Sequence, residues 1–202
     1  MTHMKVVVAS SNSGKLAEFE RLLAPLGFDC VPQSALGVED ADETGLTFVE
    51  NALIKARHAA RVTGLPALAD DSGLCVDALG GAPGLYSARY AGPQADPTAN
   101  ITKLLDALRD RADSERGAYF HAVIVLLRHA EDPRPLIAEG SWHGHILDAA
   151  RGAGGFGYDP VFLDPERGVS AAELDPSIKA RVSHRGRAVD ALRAQLADWR
   201  AT

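Results

Sequence analysis

Residues 6–15 read Val-Val-Val-Ala-Ser-Ser-Asn-Ser-Gly-Lys, and this stretch decides the fold class. Val6 to Ala9 is continuously apolar, which is typical of a strand buried on both faces of a sheet. Ser10 to Gly14 predicts a short polar loop, and Lys15 opens a predicted helix. The apolar face of that helix carries Leu16, Phe19, Leu22, Leu23 and Leu26. A strand, a loop and a helix in this order predict an α/β protein.

The loop from Ser10 to Gly14, together with Lys15, has the chemistry of a phosphate site. Backbone N–H groups and the positive end of the helix dipole attract phosphate at a helix start, and a lysine adds a full charge. A Walker A motif needs an earlier glycine and a Ser or Thr after the lysine, but Ala9 and Leu16 occupy those positions. A P-loop is therefore excluded, and the alternative to a phosphate site is a polar helix cap with a surface lysine.

Residues 68–74, Leu-Ala-Asp-Asp-Ser-Gly-Leu, predict a strand that ends in two adjacent carboxylates. Side chains on a strand alternate between faces, so Asp70 and Asp71 should point in different directions. Carboxylates at the end of a strand can present oxygen ligands to Mg²⁺. The alternative is a strand end with a solvated acidic turn, because turns favour Asp and Gly.

A second helix is predicted to begin near Phe48 and to end near Val62. Thr47 and Glu50 have the spacing of a capping box, which supports that start. Asn51 and Lys55 then lie one turn apart on one face. By itself this pattern indicates no more than a solvated helix face.

Residues 152–157 read Gly-Ala-Gly-Gly-Phe-Gly and satisfy the GxGxxG spelling. A dinucleotide fingerprint must open a helix, whereas this loop precedes Tyr158 to Phe162, a poor helix start. We therefore exclude an NAD site. The flanks favour a glycine loop that lets the backbone and the Phe156 ring approach a flat ligand.

Residues 183–186, Ser-His-Arg-Gly, are predicted to start the last helix, with Lys179 just before them. A helix start normally prefers acidic residues, so a basic cluster there indicates a nearby anion. Arg185 offers a planar fork of donors for a phosphate or a keto oxygen, and His184 can donate or accept. The alternative is a plain helix cap.

The composition of the 202-residue chain is that of an ordinary globular protein, with 46% hydrophobic and 24% charged residues. A net charge of −6 argues against a protein that coats nucleic acid. Cys30 and Cys75 lack metal-ligand spacing, which predicts free thiols in a reducing compartment. The apolar run at residues 6–9 is too short for a signal peptide or a membrane span. These features predict a cytoplasmic protein.

His121, His143 and His145 lie in strand-like segments without metal-ligand spacing, so we interpret them as structural.

Several segments in a fixed order resemble the non-canonical purine nucleoside triphosphate pyrophosphatases, the inosine triphosphatase (Ham1-like) family. The strongest segments are Ser10–Lys15, Asp70–Leu74, Phe156–Pro160 and Ser183–Gly186, and Phe48–Ala52, Gly80–Gly84 and Tyr86–Tyr90 are also similar. The resemblance covers nearly the whole chain. One departure is the first loop, where the family usually has Thr-Gly-Asn and this chain has Ser10-Ser11-Asn12.

The resemblance implies an α/β fold in which a long central mixed β-sheet is flanked by helices, with two lobes and an active-site cleft between them. It implies a single domain over residues 1–202 that forms a homodimer and has neither nucleic acid nor a membrane as a partner. The implied activity is Mg²⁺-dependent hydrolysis of ITP, dITP and XTP to the monophosphate and pyrophosphate, which removes these nucleotides from the pool.

The resemblance also implies a role for each site residue. Asp71 is the implied proton acceptor and metal ligand, Asp70 and Lys55 are the other catalytic residues, and Glu43 is the second metal carboxylate. Phe156 would stack the base, and Asp159, His184 and Arg185 would read its keto edge. The full set of implied substrate-binding residues is Ser10, Ser11, Asn12, Ser13, Gly14, Lys15, Ser72, Phe156, Gly157, Tyr158, Asp159, Lys179, His184 and Arg185.

Two alternatives remain at this point. The first is a pyrophosphatase of the Maf type, which acts on pyrimidine or modified nucleotides and from which His184, Arg185 and the Phe156 loop distinguish this chain. The second is a nucleotide-binding protein without turnover. Asp70, Asp71 and Lys55 argue against it, because a pure binder has no need of a water-activating carboxylate.

Overall fold

The computed structural model describes residues 4–94 and 96–200, so the remaining residues of the predicted domain, 1–3, 95 and 201–202, lie outside the described part. The strands are β1 (Met4–Val8), β2 (Phe28–Pro32), β3 (Ala67–Val76), β4 (Gly117–Leu127), β5 (Leu136–Ile146), β6 (Phe162–Asp164) and β7 (Val169–Ser170). The α-helices are α1 (Ser13–Leu23), α2 (Phe48–Thr63), α3 (Pro97–Ala107), α4 (Pro176–Val182) and α5 (His184–Arg200).

The strands form one sheet in the order β2-β1-β3-β4-β5-β6-β7. Strand β1 pairs in parallel with both β2 and β3, as expected where α1 and α2 supply the crossovers. Strand β6 pairs antiparallel with β5 and with β7. The sheet is therefore mixed, which confirms the predicted α/β class with a mixed sheet.

The described residues fall into two compact units. The first unit comprises residues 4–71, 122–140 and 185–200, and the second comprises residues 72–94, 96–121 and 141–184. Strands β3, β4 and β5 each contribute residues to both units. The core of the second unit is formed by Leu74, Val76, Leu104, Leu108, Phe120, Trp142, Tyr158 and Phe162, together with smaller neighbours.

The two faces of the sheet in the first unit carry separate cores. One core joins Leu68 of β3 to α1 and α5, whereas the other joins Ala67 and Ala69 to α2. Because strand side chains alternate between faces, Asp70 follows Leu68 toward α1 and α5, and Asp71 follows Ala69 toward α2. The alternation predicted for the acid pair is confirmed.

Two predicted boundaries near the acids and the phosphate loop are wrong. Strand β3 does not end at Asp71 but continues to Val76, because Leu74 and Val76 are fully buried in the core of the second unit. Helix α1 begins at Ser13 rather than at Lys15, since the side chain of Asn12 accepts a hydrogen bond from the Lys15 N–H and caps the helix there. Ser13 and Gly14 are therefore helical, not loop residues.

Helix α2 agrees with its predicted bounds, Phe48 to Val62, to within one residue. The hydroxyl of Thr47 accepts from the Glu50 N–H at 3.3 Å, and the Glu50 carboxylate accepts from the Leu46 N–H at 2.9 Å. This is a capping arrangement in which the acid binds one residue earlier than in the standard box.

The last helix, α5, begins within one residue of its predicted start and buries Val189, Leu192, Leu196 and Trp199. Helix α4 was not predicted. It is only seven residues long, and its signal is Asp175 as the cap followed by Pro176 at the first position.

Across the described residues, no helix is both long and apolar enough to cross a membrane.

Candidate active site

Asp70 lies at the centre of a buried group of charges in the first unit. Its Oδ1 forms an ion pair with Nζ of Lys15 at 2.6 Å, and its Oδ2 lies 3.4 Å from Nη2 of Arg185. The side chain of Asp70 is completely buried, and that of Arg185 is 1% exposed. Arg185 also forms an ion pair with Glu18 of α1. Because a buried charge is costly unless it is paired, these groups must be held together.

Asp71 faces a second group of charges. Nζ of Lys55 on α2 donates to Asp71 Oδ1 at 2.8 Å and to Glu43 Oε1 at 2.9 Å. The side chains of Asp71 and Lys55 are mostly buried, and Glu43 is more exposed. A lysine ammonium thus lies between two carboxylates from different parts of the chain.

The two acids differ in the direction of their pKa shifts. Burial favours the neutral form of Asp70, but Arg185, Lys15 and Lys55 outweigh it and hold the pKa of Asp70 well below its usual value. For Asp71, burial dominates over the attraction of Lys55 and raises the pKa of that carboxyl. Asp70 is therefore a permanent anion, whereas Asp71 has the more basic carboxylate. A basic carboxylate is the better proton acceptor.

The lysines of the two groups also differ. Burial lowers the pKa of Lys15 despite the attraction of Asp70, and Arg185 and Lys55 lower it further. Burial likewise lowers the pKa of Lys55, but Asp71, Asp70 and Glu43 outweigh it and raise that pKa overall. Lys55 is thus firmly protonated beside its two carboxylates.

The predicted phosphate loop, Ser10 to Gly14, is hydrogen-bonded to the acidic stretch at residues 39–43, which carries Glu43. The hydroxyl of Ser11 donates to Asp40 Oδ2 at 2.7 Å, and the buried side chain of Gln33 donates to Asp40 Oδ1 at 2.5 Å. The hydroxyl of Ser10 accepts from the Asn12 N–H at 3.2 Å. Ser11, which stands where the resembled family has glycine, therefore contributes a contact that glycine lacks.

The acidic stretch is further held by α2. Asn51, which is buried, accepts from the Gly45 N–H at 2.8 Å, and His58 lies 3.1 Å from the carbonyl oxygen of Glu39. These contacts fix the chain on both sides of Glu43.

A divalent cation fits the Glu43 and Asp71 pair. Both side chains offer carboxylate oxygens, the ligands that Mg²⁺ prefers. One oxygen of each carboxylate already lies within 2.9 Å of the same cation, the ammonium of Lys55. Among the described residues, no group of three or more His, Cys, Asp or Glu side chains is arranged to hold a metal. Two carboxylates are enough for Mg²⁺, which keeps several waters and takes its other ligands from phosphate.

In the second unit, Asp159 organises the glycine loop. Its Oδ2 accepts from the Phe156 N–H at 2.7 Å and from Nζ of Lys179 at 2.6 Å. That ammonium lies 5.0 Å from the centre of the Phe156 ring, a cation–π distance. Asp159 is 3% exposed, so its described contacts position Phe156 and Lys179.

The other predicted substrate residues of the second unit are placed as follows. The Tyr158 ring lies in the core, and its hydroxyl donates to the Ser87 carbonyl at 2.8 Å. His184 is buried and stacks on Phe120 with 4.8 Å between ring centres. Ser72 is partly buried within β3, and Gly157 has a φ of +60°. Their contacts with a substrate remain predictions.

We expect Gly155→Ala to destabilise this loop. Gly155 has a φ of +71°, and a Cβ built there would lie 2.1 Å from Asp159 Oδ2, so the carboxylate would have to leave Phe156 and Lys179. Gly157→Ala is the matched control, because Gly157 has a similar φ and no atom within 4 Å of its Cβ. Thermal denaturation should show a larger fall in Tm for Gly155→Ala. Equal falls in Tm would mean that the loss comes from the positive φ alone, which costs roughly 1–2 kcal/mol in either variant.

The sequence pattern did not single out Glu18, Asp40 or Asn51 as site residues. Asn51 was noticed only as a neighbour of Lys55 on one helix face. The one signal for Glu18 was its position three residues after Lys15, which places both on one face of α1. Asp40 carried no signal beyond its membership of an acidic stretch.

The fold and the first unit define a class of protein: a mixed-sheet α/β protein in which mostly buried lysines pair with carboxylates of the strand β3. Residues 6–195 match the model of the Ham1 family. The chain belongs to the Ham1 family, which confirms the resemblance.

Individual relatives agree with this assignment. A protein of Xanthomonas campestris pv. campestris named "dITP/XTP pyrophosphatase" is 64% identical over 97% of this chain and 98% of its own length. A protein of Shigella flexneri with the same name is 58% identical over 94% of this chain and 98% of its own length. The solved structure of a HAM1 protein from Coxiella burnetii has 52% identity and a TM-score of 0.88, and covers 96% of this chain and 99% of that one.

Proposed function

We propose that this protein is a nucleoside triphosphate pyrophosphatase that hydrolyses the non-canonical purine nucleotides dITP, XTP and ITP to the monophosphate and pyrophosphate. The observation that carries the proposal is the placement of Lys55 between Asp71 and Glu43, with Lys15 paired to Asp70, the preceding residue of β3. A triphosphate carries about four negative charges, so a site for it needs cations from the protein and from a metal. The names of the relatives supply the substrate class.

Glu43 and Asp71 would hold the metal ion, which we propose to be Mg²⁺. When bound, the ion supplies positive charge that neutralises part of the triphosphate and polarises its phosphorus centre. Lys55 donates to both of these carboxylates, and its ammonium would add a second positive charge for the phosphates of the substrate.

Asp71 is the proposed proton acceptor. Its carboxylate takes a proton from water as the water oxygen bonds to the α-phosphorus, and the bond from that phosphorus to the bridging oxygen breaks to release pyrophosphate. Burial, which raises the pKa of Asp71, makes it the more basic of the two acids. Lys15 and the segment Ser10–Gly14 would bind phosphate oxygens, with the start of α1 adding backbone N–H donors.

We propose that the base is bound by the residues that the family resemblance implies for it. Phe156 offers a ring for stacking, and Lys179 is a donor beside it. His184 and Arg185 are proposed donors to the keto oxygen, and Ser72, Gly157 and Tyr158 are proposed to line the base and sugar. Asp159 is proposed to act chiefly by holding Phe156 and Lys179. A donor facing a 6-keto group is unpaired against a 6-amino group, which would select inosine and xanthosine over adenosine.

We also propose that residues 1–202 work as one functional domain and that the protein is a cytoplasmic homodimer without nucleic-acid or membrane partners. The family match spans residues 6–195 without interruption, which supports the first point. Both cysteines, Cys30 and Cys75, are free thiols, which supports a reducing compartment. The net charge of −6 disfavours a nucleic-acid partner.

The test is a panel of purified nucleoside triphosphates assayed with Mg²⁺, with pyrophosphate and orthophosphate measured separately. We expect dITP, XTP and ITP to yield equal amounts of monophosphate and pyrophosphate, with kcat/KM about 100-fold above that for ATP. Removal of the metal with EDTA should stop the reaction. Release of orthophosphate, or a preference for pyrimidine nucleotides as in a Maf-type enzyme, would contradict the proposal.

A further inference from the structure

Four charged side chains of alternating sign form a buried row in the first unit. In spatial order they are Glu18, Arg185, Asp70 and Lys15. Helix α1 supplies both ends of the row, β3 supplies Asp70, and α5 supplies Arg185. The row therefore begins and ends on the same helix, the one that opens at the phosphate loop.

Arg185 and Asp70, the two inner members of the row, each contact two neighbours through different atoms. Arg185 places Nη1 against Glu18 and Nη2 3.4 Å from Asp70 Oδ2, while Asp70 Oδ1 binds Nζ of Lys15 at 2.6 Å. A guanidinium is planar and rigid, so fixing one of its nitrogens fixes the direction of the other. Glu18 thereby determines where Arg185 meets Asp70, and Asp70 determines where the Lys15 ammonium lies.

Burial makes the row act as a unit. The side chains of Asp70 and Arg185 are 0% and 1% exposed, and those of Glu18 and Lys15 are about 15% exposed. In such surroundings the loss of one charge leaves its neighbour without compensation, and the remaining groups shift toward new partners. Without the Glu18 charge, Arg185 would be drawn more closely to Asp70, and the hold of Asp70 on Lys15 would weaken.

We propose that Glu18, acting through Arg185 and Asp70, is a positioning residue that holds the Lys15 ammonium at the phosphate loop. The proposal rests on the proposed function, in which Lys15 binds the triphosphate. It gives Arg185 a second role beside the proposed contact with the base. The polyphosphate part of the substrate is thus bound by a lysine whose position is set one turn further along its own helix.

The test is Glu18→Gln, which keeps the size of the side chain and removes its charge. We expect KM for ITP to rise about tenfold with kcat little changed, because a displaced Lys15 weakens phosphate binding more than it affects the chemistry. Calorimetric affinity for inorganic tripolyphosphate, which needs no turnover, should fall by a similar factor. Glu20→Gln is the matched control, since Glu20 lies on the exposed side of the same helix.

The outcomes separate this inference from the proposed function. A wild-type protein that releases no pyrophosphate from ITP contradicts the proposed function. Active wild type with KM and tripolyphosphate affinity in Glu18→Gln equal to those of Glu20→Gln overturns the inference alone. A fall in kcat or Tm without a change in KM also overturns it, because that is the signature of a merely structural role. If Glu18→Gln does not fold, Arg185→Lys, which keeps the charge but lacks the fork, is judged by its affinity for tripolyphosphate alone, because Arg185 is also a proposed contact of the base; an affinity equal to that of Glu20→Gln overturns the inference.

Discussion

Asp71→Asn is expected to lower the release of pyrophosphate from ITP by about 10³-fold, within the range lost when a general base is removed. An amide cannot accept the proton from the attacking water, and it is a poorer ligand for Mg²⁺ than a carboxylate. The change keeps the size of the side chain, and Lys55 retains Glu43 as an ionic partner, so the fold should persist. A single-turnover assay with a stoichiometric amount of enzyme measures the chemical step directly.

The control for this variant is Asp42→Asn. Asp42 lies in the same acidic stretch as Glu43 but is exposed, so the loss of its charge should leave turnover close to that of wild type. Circular dichroism and the Tm should match wild type in both variants. Undiminished turnover in Asp71→Asn would remove Asp71 from the mechanism, whatever the control shows.

Arg185→Met is expected to lower the free energy of unfolding by about 3–5 kcal/mol, the usual cost of removing one partner from a buried ion pair. Methionine fills much of the same volume, so the main loss is the charge that compensates Glu18 and Asp70. Lys15 would then be the remaining cation of the row. Urea denaturation near pH 7 measures the change.

Arg193→Met is the matched control for stability. Arg193 lies on the same helix, α5, and pairs with Asp190, but both side chains are more than half exposed. An exposed pair three residues apart on a helix contributes a few tenths of a kcal/mol at most, so this variant should unfold almost as wild type does. Equal losses in the two variants would show that the buried row contributes no special stability.

The elements with strong local signals were predictable from the sequence. The limits of α2 follow from Thr47 at its start and Gly64 at its end, and α5 begins within one residue of its predicted start. Helix α4 was missed because seven residues make fewer than two turns, too short for a periodic pattern. The continuation of β3 past Asp71 was missed because Asp-Asp-Ser-Gly has the composition of a turn.

Several members of the candidate site were predictable, but their pairing was not. Lys15, Asp70 and Asp71 stand in sequence motifs, whereas Lys55 was assigned to the site only by the family resemblance. The pairing of Lys15 with Asp70 and of Lys55 with Asp71 and Glu43 depends on which helix packs on which face of β3. Arg185 was assigned to the base by the family resemblance, whereas its described ionic partners are Glu18 and Asp70.

By itself, the sequence determined the α/β class, the family and the alternation of Asp70 and Asp71 between two faces. These follow from interactions among near neighbours in the chain, or from motifs whose order is enough to recognise them. Only the tertiary structure decided what lies opposite each acid. The Arg185–Asp70 contact joins residues 115 positions apart, and the Arg185–Glu18 contact joins residues 167 apart. Such pairs form because α1 and α5 pack on the same face of β3, and no local pattern encodes that packing.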